Sequence, residues 1–289
     1  MAWRSQENLR NLEIYKDSKS LWETNEKLKE AIKETIAKQQ IILETDTVTI
    51  DDSKLSETPN VVITNRSSFE AAFGYKNEKV CVLNFASSTK AGGGVTNGAR
   101  AQEECLCRIS TLYPCLLEKE CQEEFYLPHR DFTSPIYNDD IIYSPDVVVF
   151  KDDKATHNLL PEEEWIKVDV LTCAAPNLNK NVSNRYNPGA AGPVKISNDE
   201  LEEVLKKRYK RILQVAHAEG AEVLILGAFG CGAFKNPARV AAKVFAEVVA
   251  ECGTWFKKID FAIPGDTGSG NFYAFKTIGI LAFTQKVPL

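Results

Sequence analysis

Apolar positions follow two rhythms along this chain, and the change falls near residue 46. Residues 1–40 are polar, with Leu28, Ile32 and Ile36 recurring every four positions among lysines and glutamates. That spacing draws one narrow apolar stripe down a helix. It predicts an N-terminal helical extension over residues 1–45, either packed on the main body or offered to a partner. From Asp46 onward, short runs rich in β-branched residues predict strands at Thr47–Ile50, Val61–Thr64, Val80–Phe85, Asp140–Tyr143, Val147–Phe150, Lys167–Ala174, Glu222–Leu226 and Lys258–Ile263. Between the last of these the helical period returns. Ser197 and Glu200 have capping-box spacing ahead of Leu201, Leu205, Ile212 and Ala216. Pro237 opens a second helix, with Ala241, Phe245 and Val248 on one side and Gly253 at its end. Helices alternating with short apolar strands predict a layered α/β domain over residues 46–289.

Composition narrows the function classes. Of 289 residues, 44% are hydrophobic and 26% charged, as in an ordinary soluble globular chain. The balance of 35 basic against 40 acidic residues gives a formal charge of -5, so no global field draws the chain to nucleic acid. A local pocket for an anionic ligand is compatible with that charge. The opening MAWRSQENLRNLEIYKDSKS lacks the apolar core of a signal peptide, and no apolar run reaches the ~20 residues that span a bilayer. The eight cysteines then read as reduced thiols, and the expected setting is the cytoplasm or nucleus. In that compartment the glycosylation patterns at Asn65-Arg-Ser67 and Asn181-Val-Ser183 are chance matches.

Two glycine-rich segments carry the chemistry. The run Leu83-Asn-Phe85 leads, through Ala86 to Ala91, into Gly92, Gly93 and Gly94; after seven further residues come Gln102, Glu103 and Glu104. Consecutive glycines let backbone N–H groups approach an anionic ligand because no β-carbon intervenes. The second segment, Leu226-Gly-Ala-Phe-Gly230-Cys231-Gly232-Ala233-Phe234-Lys-Asn-Pro237, also follows a strand and precedes a helix, an arrangement that holds phosphate at a helix N-terminus. It is neither a Walker A loop nor a G-x-G-x-x-G fingerprint. Two such loops at strand ends imply a cleft that holds a diphosphate between them.

The spacing Gly-Gly-Gly, seven residues, Gln-Glu-Glu resembles the signature of the microbial-type poly(ADP-ribose) glycohydrolases. Leu83-Asn-Phe-Ala-Ser87, Tyr143-Ser-Pro-Asp146-Val, Leu171-Thr-Cys-Ala-Ala-Pro-Asn177 and the second glycine segment resemble further landmarks of that family, in the same order over roughly residues 60 to 285. The resemblance implies a macrodomain-like mixed β-sheet sandwiched between helices. It also implies that the two glycine loops, with Gly92, Gly93, Gly94, Gly230, Cys231, Gly232, Ala233 and Phe234, enclose the diphosphate and distal ribose of ADP-ribose. Asn84 at the strand end and Gln102 belong to the same ribose side. Glu104 is implied as the acid/base and Glu103 as a holder of ribose hydroxyls. Poly(ADP-ribose) or an ADP-ribosylated protein is then the substrate and ADP-ribose the product, released from chain ends.

The residue chemistry agrees with those roles. Cleaving a ribose–ribose bond needs protonation of a poor leaving oxygen and stabilisation of an oxocarbenium-like transition state. Adjacent helical side chains point about 100° apart, so Glu103 and Glu104 cannot flank a glycosidic bond as separated carboxylates do. One of them must donate the proton and later activate water, while the other holds hydroxyls. Phe234 suits stacking on a ribose or base, and Phe272 or Tyr273 is a candidate cover for the adenine. Where related macrodomains carry a second asparagine three residues after the first, this chain has Ser87. Cys105-x-Cys107 has the wrong spacing for a zinc knuckle, so no metal and no cofactor are expected. Asp139-Asp140 and Asp152-Asp153 read as turn or surface acids. A non-hydrolytic ADP-ribose reader and a mono-ADP-ribosyl hydrolase are the alternatives to the polymer hydrolase.

Overall fold

The computed structural model describes residues 5–51, 53–180, 194–265 and 270–284. The strands are β1 (Gln40–Ile42), β2 (Val61–Thr64), β3 (Val80–Phe85), β4 (Ile141–Val149), β5 (Ile166–Cys173), β6 (Val223–Leu226) and β7 (Lys258–Ala262). The helices are α1 (Gln6–Thr24), α2 (Glu26–Lys38), α3 (Ser68–Ala72), α4 (Gln102–Ile109), α5 (Leu112–Leu116), α6 (Leu127–Arg130), α7 (Asn198–Ala218), α8 (Ala238–Cys252) and α9 (Gly270–Thr284). The strands form one sheet in the order β1-β4-β5-β3-β6-β7-β2. From β5 to β2 the neighbours are parallel, whereas β4 is antiparallel to both β5 and β1.

Central parallel strands are covered on both faces, which is why β3 and β6 read as unbroken apolar runs. Their side chains still alternate. Cys81, Leu83, Leu171, Leu224 and Leu226 pack with α7, α8 and α9. Val80, Val82, Val170, Val223 and Ile225 pack on the other face with α1 to α5. The mixed sheet sandwiched between helices is therefore present, as expected. Leu28 of the N-terminal stripe is fully buried, with Ile32 packed half-buried beside it. Asn25 divides the N-terminal helical stretch: its side chain accepts from the N–H groups of Lys27 and Leu28 and so caps α2. Residues 40–42 then leave the helical region and join the sheet as β1.

Three local expectations change. Thr47–Ile50 forms no strand; the sheet edge is taken by β1, and the β-branched run has no ladder to join. The two strands expected at 140–143 and 147–150 are one strand, β4, with a bulge between Ser144 and Val147 where Asp146 has a φ of 55°. Of the two acid pairs, Asp152 is a turn acid as expected, accepting from the N–H groups of Lys154 and Asn158, but the other three are not surface turns. Asp139 is buried against Arg208, whose Nε donates to its Oδ1 at 2.8 Å, and Asp140 accepts from the Asn138 amide at 2.6 Å. Asp153 is also enclosed, as the acceptor of the Ser67 hydroxyl. Asn65 of the first glycosylation pattern accepts from Gly265 N–H; the second pattern lies outside the described residues. The capping box at Ser197 and Glu200 is formed.

Candidate active site

Strands β3 and β6 are neighbours, yet the chain leaves β3 for α4 on one face of the sheet and leaves β6 for α8 on the other. Where connections diverge in this way, a crevice opens beyond the carboxyl ends of the strands. A cleft of about 670 Å³ lies there, within the ordinary size range of small-molecule sites. Phe85, Ser87 and Gly93 line it beside Gln102, Glu103 and Glu104. Opposite them are Phe229, Gly230, Gly232, Ala233 and Phe234, and Ile263, Pro264 and Asn271 close the β7 side.

Three consecutive side chains at the start of α4 each accept a main-chain N–H from the β3–α4 connection. Gln102 Oε1 accepts from Phe85 at 2.9 Å, Glu103 Oε2 from Ser87 at 2.8 Å, and Glu104 Oε1 from Gly94 at 2.7 Å. The Gln102 amide also donates to Leu83 O at 2.7 Å and Ser68 Oγ at 3.0 Å, which fastens α4 to β3. No side chain caps this helix, and acids in its first turn sit at the positive end of the helix dipole. Both carboxylates are buried, with Glu103 3% and Glu104 7% exposed. Burial and, second, the neighbouring Glu104 charge push Glu103 well above the usual carboxylate range. The N–H of Ser87, the Asn84 amide and the N–H of Gly92 offset this in part. The second oxygen of each acid, Glu103 Oε1 and Glu104 Oε2, is buried without a hydrogen-bond partner among the described residues. A buried orphan acceptor of this kind costs stability unless something binds it.

The close approach of the loop to the acids depends on Gly93. Its φ is +52°, and a β-carbon there would lie 2.5 Å from Glu104 Oε1 and 2.9 Å from Glu103 Oε2. Gly92 instead rests on Tyr113, where a β-carbon would come within 2.5 Å of the ring. Across the cleft, Asn236 shapes the second glycine loop by donating to Pro176 O at 2.7 Å and Gly230 O at 3.0 Å. Around Gly232, by contrast, no atom lies within 4 Å of where a β-carbon would stand. Cys105 lines the cleft, but burial pushes its thiol up to about 11, so it is neither a thiolate nor a nucleophile near neutral pH.

This arrangement has counterparts of known activity. The family model described as microbial-type PARG, catalytic domain, matches residues 6–152, which is half of the chain. The chain belongs to the microbial-type poly(ADP-ribose) glycohydrolase family. It is accordingly a glycohydrolase. Among solved structures it is similar to the poly(ADP-ribose) glycohydrolase of Thermomonospora curvata, with 27% identity, a TM-score of 0.77, and coverage of 93% of this chain and 98% of that one. The same enzyme bound to the inhibitor ADP-HPD matches at 28% identity and a TM-score of 0.76, covering 92% and 98%. The Deinococcus radiodurans enzyme in complex with ADP-ribose matches at 28% identity and a TM-score of 0.70, covering 86% and 96%. Among curated proteins no sequence matches.

Within this glycohydrolase, the predicted residues fall into two groups. Gly93, Gln102, Glu103, Glu104, Gly230, Gly232, Ala233 and Phe234 line the cleft. Asn84, Gly92, Gly94 and Cys231 stand behind that lining. Asn84 is fully buried, and its amide donates to Thr172 Oγ1 at 3.1 Å. Cys231 packs against the core, and its thiol donates to Phe229 O at 3.5 Å. Neither aromatic proposed for the adenine lines the cleft: Phe272 is in the core and Tyr273 is 58% exposed, while Asn271 beside them faces the cavity. Residues missed from sequence include Phe85, Phe229, Ser67 and Asp153. Phe85 ends β3 and Phe229 lies in the loop just beyond β6, positions where an aromatic reads as core. Asp153 gives no signal until β2 and α3 bring Ser67 against it. No group of three or more His, Cys, Asp or Glu that could hold a metal ion occurs among the described residues.

Proposed function

We propose that the enzyme hydrolyses the ribose–ribose O-glycosidic bonds of poly(ADP-ribose) from chain ends and releases ADP-ribose, with Glu104 as sole general acid/base. The observation that carries this reading is that Glu103 and Glu104 both line the cleft with one oxygen held by a loop N–H and the other buried and unpartnered; the signature resemblance gives the acid/base role to Glu104. A proton on Oε2 passes to the leaving ribose oxygen as the glycosidic C–O bond breaks, and positive charge develops on the distal ribose. Glu104, now ionised, takes a proton from water as its oxygen bonds to the anomeric carbon, which restores the acid. Glu103, held by Ser87 N–H, accepts from ribose hydroxyls, and the Gly230–Phe234 loop faces the diphosphate. The D. radiodurans and T. curvata enzymes, solved with ADP-ribose and with ADP-HPD, support the ligand class. Eight unpaired cysteines support an intracellular setting. No described helix is long and apolar enough to cross a membrane.

The test is ADP-ribose release from polymer and from mono-modified protein, measured beside ADP-ribose affinity. Glu104→Gln should bind ADP-ribose and lose about 10²–10⁴ in turnover. Wild-type turnover by Glu104→Gln would remove the acid/base assignment, and binding without release by the wild type would make the protein a reader. Oligomers among the early products would refute chain-end action.

A further inference from the structure

Helix α1 touches the glycine loop at both of its ends, and the Glu104 contact lies between them. At the far end, the Asn11 amide donates to Gly98 O at 3.1 Å in a buried bond. Gly98 has a φ of +76°, and a β-carbon there would run into the carbonyl of Asn8 on α1, so the helix backbone lies directly on the loop. At the near end, Tyr15 and Trp22 of α1 hold the Tyr113 ring at centroid distances of 5.6 and 6.3 Å, and Tyr113 in turn supports Gly92. Inside the loop, the N–H of Ala99 donates to Gly94 O at 3.2 Å and the N–H of Gly94 donates to Glu104 Oε1 at 2.7 Å. A path of three hydrogen bonds, the Gly98–Ala99 peptide link and the backbone of Gly94 itself therefore runs from Asn11 to the carboxylate. The same helix holds α4 from the other side, where Ser18 donates to Arg108 O at 2.5 Å.

We propose that helix α1 is a brace for the reaction centre, with Asn11 a positioning residue that sets the Gly94 N–H against Glu104. This rests on the reading of Glu104 as acid/base. A loop of glycines has the greatest backbone freedom of any sequence, so its N–H is aimed only if something outside it fixes both ends. Acid/base transfer is steep in geometry: a 1 Å misplacement caused from afar costs on the order of 10²-fold. In the proposed reading the diphosphate lies mainly against the Gly230–Phe234 side of the cleft, with which α1 makes none of these contacts.

The experiment compares kcat, KM, ADP-ribose affinity and melting temperature for the full chain carrying Asn11→Ala, Gly98→Ala, both together, and Glu7→Gln. Glu7 pairs with Arg100 at the surface, so its loss serves as a control on the same helix. The brace predicts a fall in kcat of about tenfold or more for Asn11→Ala with KM and ADP-ribose affinity unchanged. It also predicts a double variant no slower than the slower single, because both lesions break one contact, and wild-type kcat for Glu7→Gln. Wild-type kcat in Asn11→Ala would overturn the proposal. So would losses of kcat, affinity and melting temperature in the same proportion, since general loosening moves all three. An active Glu104→Gln would strike the acid/base reading itself, whereas an inactive Glu104→Gln beside an unaffected Asn11→Ala would strike only the brace.

Discussion

The backbone N–H of Gly94 and Oε1 of Glu104 stand 2.7 Å apart, a charge-assisted length that ties the glycine loop to the first turn of α4. The contact spans ten residues of chain and takes one lone pair of the carboxylate out of play. Its other oxygen, Oε2, is buried without a hydrogen-bond partner among the described residues.

Gly93 leaves no room for a side chain beside either acid, and the smallest change there should be felt in chemistry first. Gly93→Ala forces a β-carbon into Glu104 Oε1 and Glu103 Oε2 and holds alanine at a left-handed φ, at a cost of about 1–2 kcal/mol. Turnover should fall by about 10²-fold, with the far-ultraviolet spectrum unchanged. Retention of wild-type kcat would mean the carboxylates are not held where the structure has them.

Gly232 gives the opposite pattern. The space around it is empty of protein, so Gly232→Val should fold normally, with stability within about 0.5 kcal/mol of wild type. The added side chain enters the volume in which a diphosphate would lie, and ADP-ribose affinity should drop. Calorimetry on the variant decides it: unchanged affinity moves the phosphates away from this loop.

Asn236 is expected to act on both fold and ligand. Its buried amide holds Pro176 O and Gly230 O; removing it leaves Pro176 O short of a donor at about 1–3 kcal/mol, while Gly230 O keeps the Asn236 backbone N–H. Asn236→Ala should lower the melting temperature and weaken ADP-ribose binding together. A variant that melts lower but binds normally would detach the loop from the ligand.

The raised proton affinity of Glu103 has a definite sign in stability. The folded chain holds this proton above the pH at which the unfolded chain releases it. Between the ordinary glutamate value and the raised one, the folded state therefore binds more protons, and stability falls as pH rises. Glu103→Gln removes that titration. Its melting temperature should exceed that of wild type at about pH 8 and converge on it near pH 4.5. A constant offset across that range would show that Glu103 ionises normally.

Much of the site was legible because its chemistry is contiguous. Gly92 to Gly94 and Gln102 to Glu104 are read directly from the sequence, and the helical rotation between Glu103 and Glu104 already points the two acids in different directions. What stayed hidden are groups whose partners are distant in sequence. Asn236 meets Pro176 from 60 positions away and Arg208 meets Asp139 from 69, and neither pair leaves a local pattern. Asp139 looked like a turn acid because only the fold supplies its guanidinium. In the fold, the long apolar runs were plain, while β1 escaped notice because three residues carry no measurable period. Thr47–Ile50 misled for the complementary reason: β-branched residues suit a strand only where a neighbour offers a ladder.

The outermost members of the sheet, β1 and β2, are three and four residues long. Each leaves only a short row of unpaired backbone groups at its rim, and the five strands between them are covered on both faces by helices. Sheets with long open rims invite a second chain to continue the ladder, and brevity at the edge is a common defence. The apolar strands that carry both loops of the cleft are thus shut away from self-association. An interior rich in valine, leucine and isoleucine can be assembled here with little exposed template for aggregation.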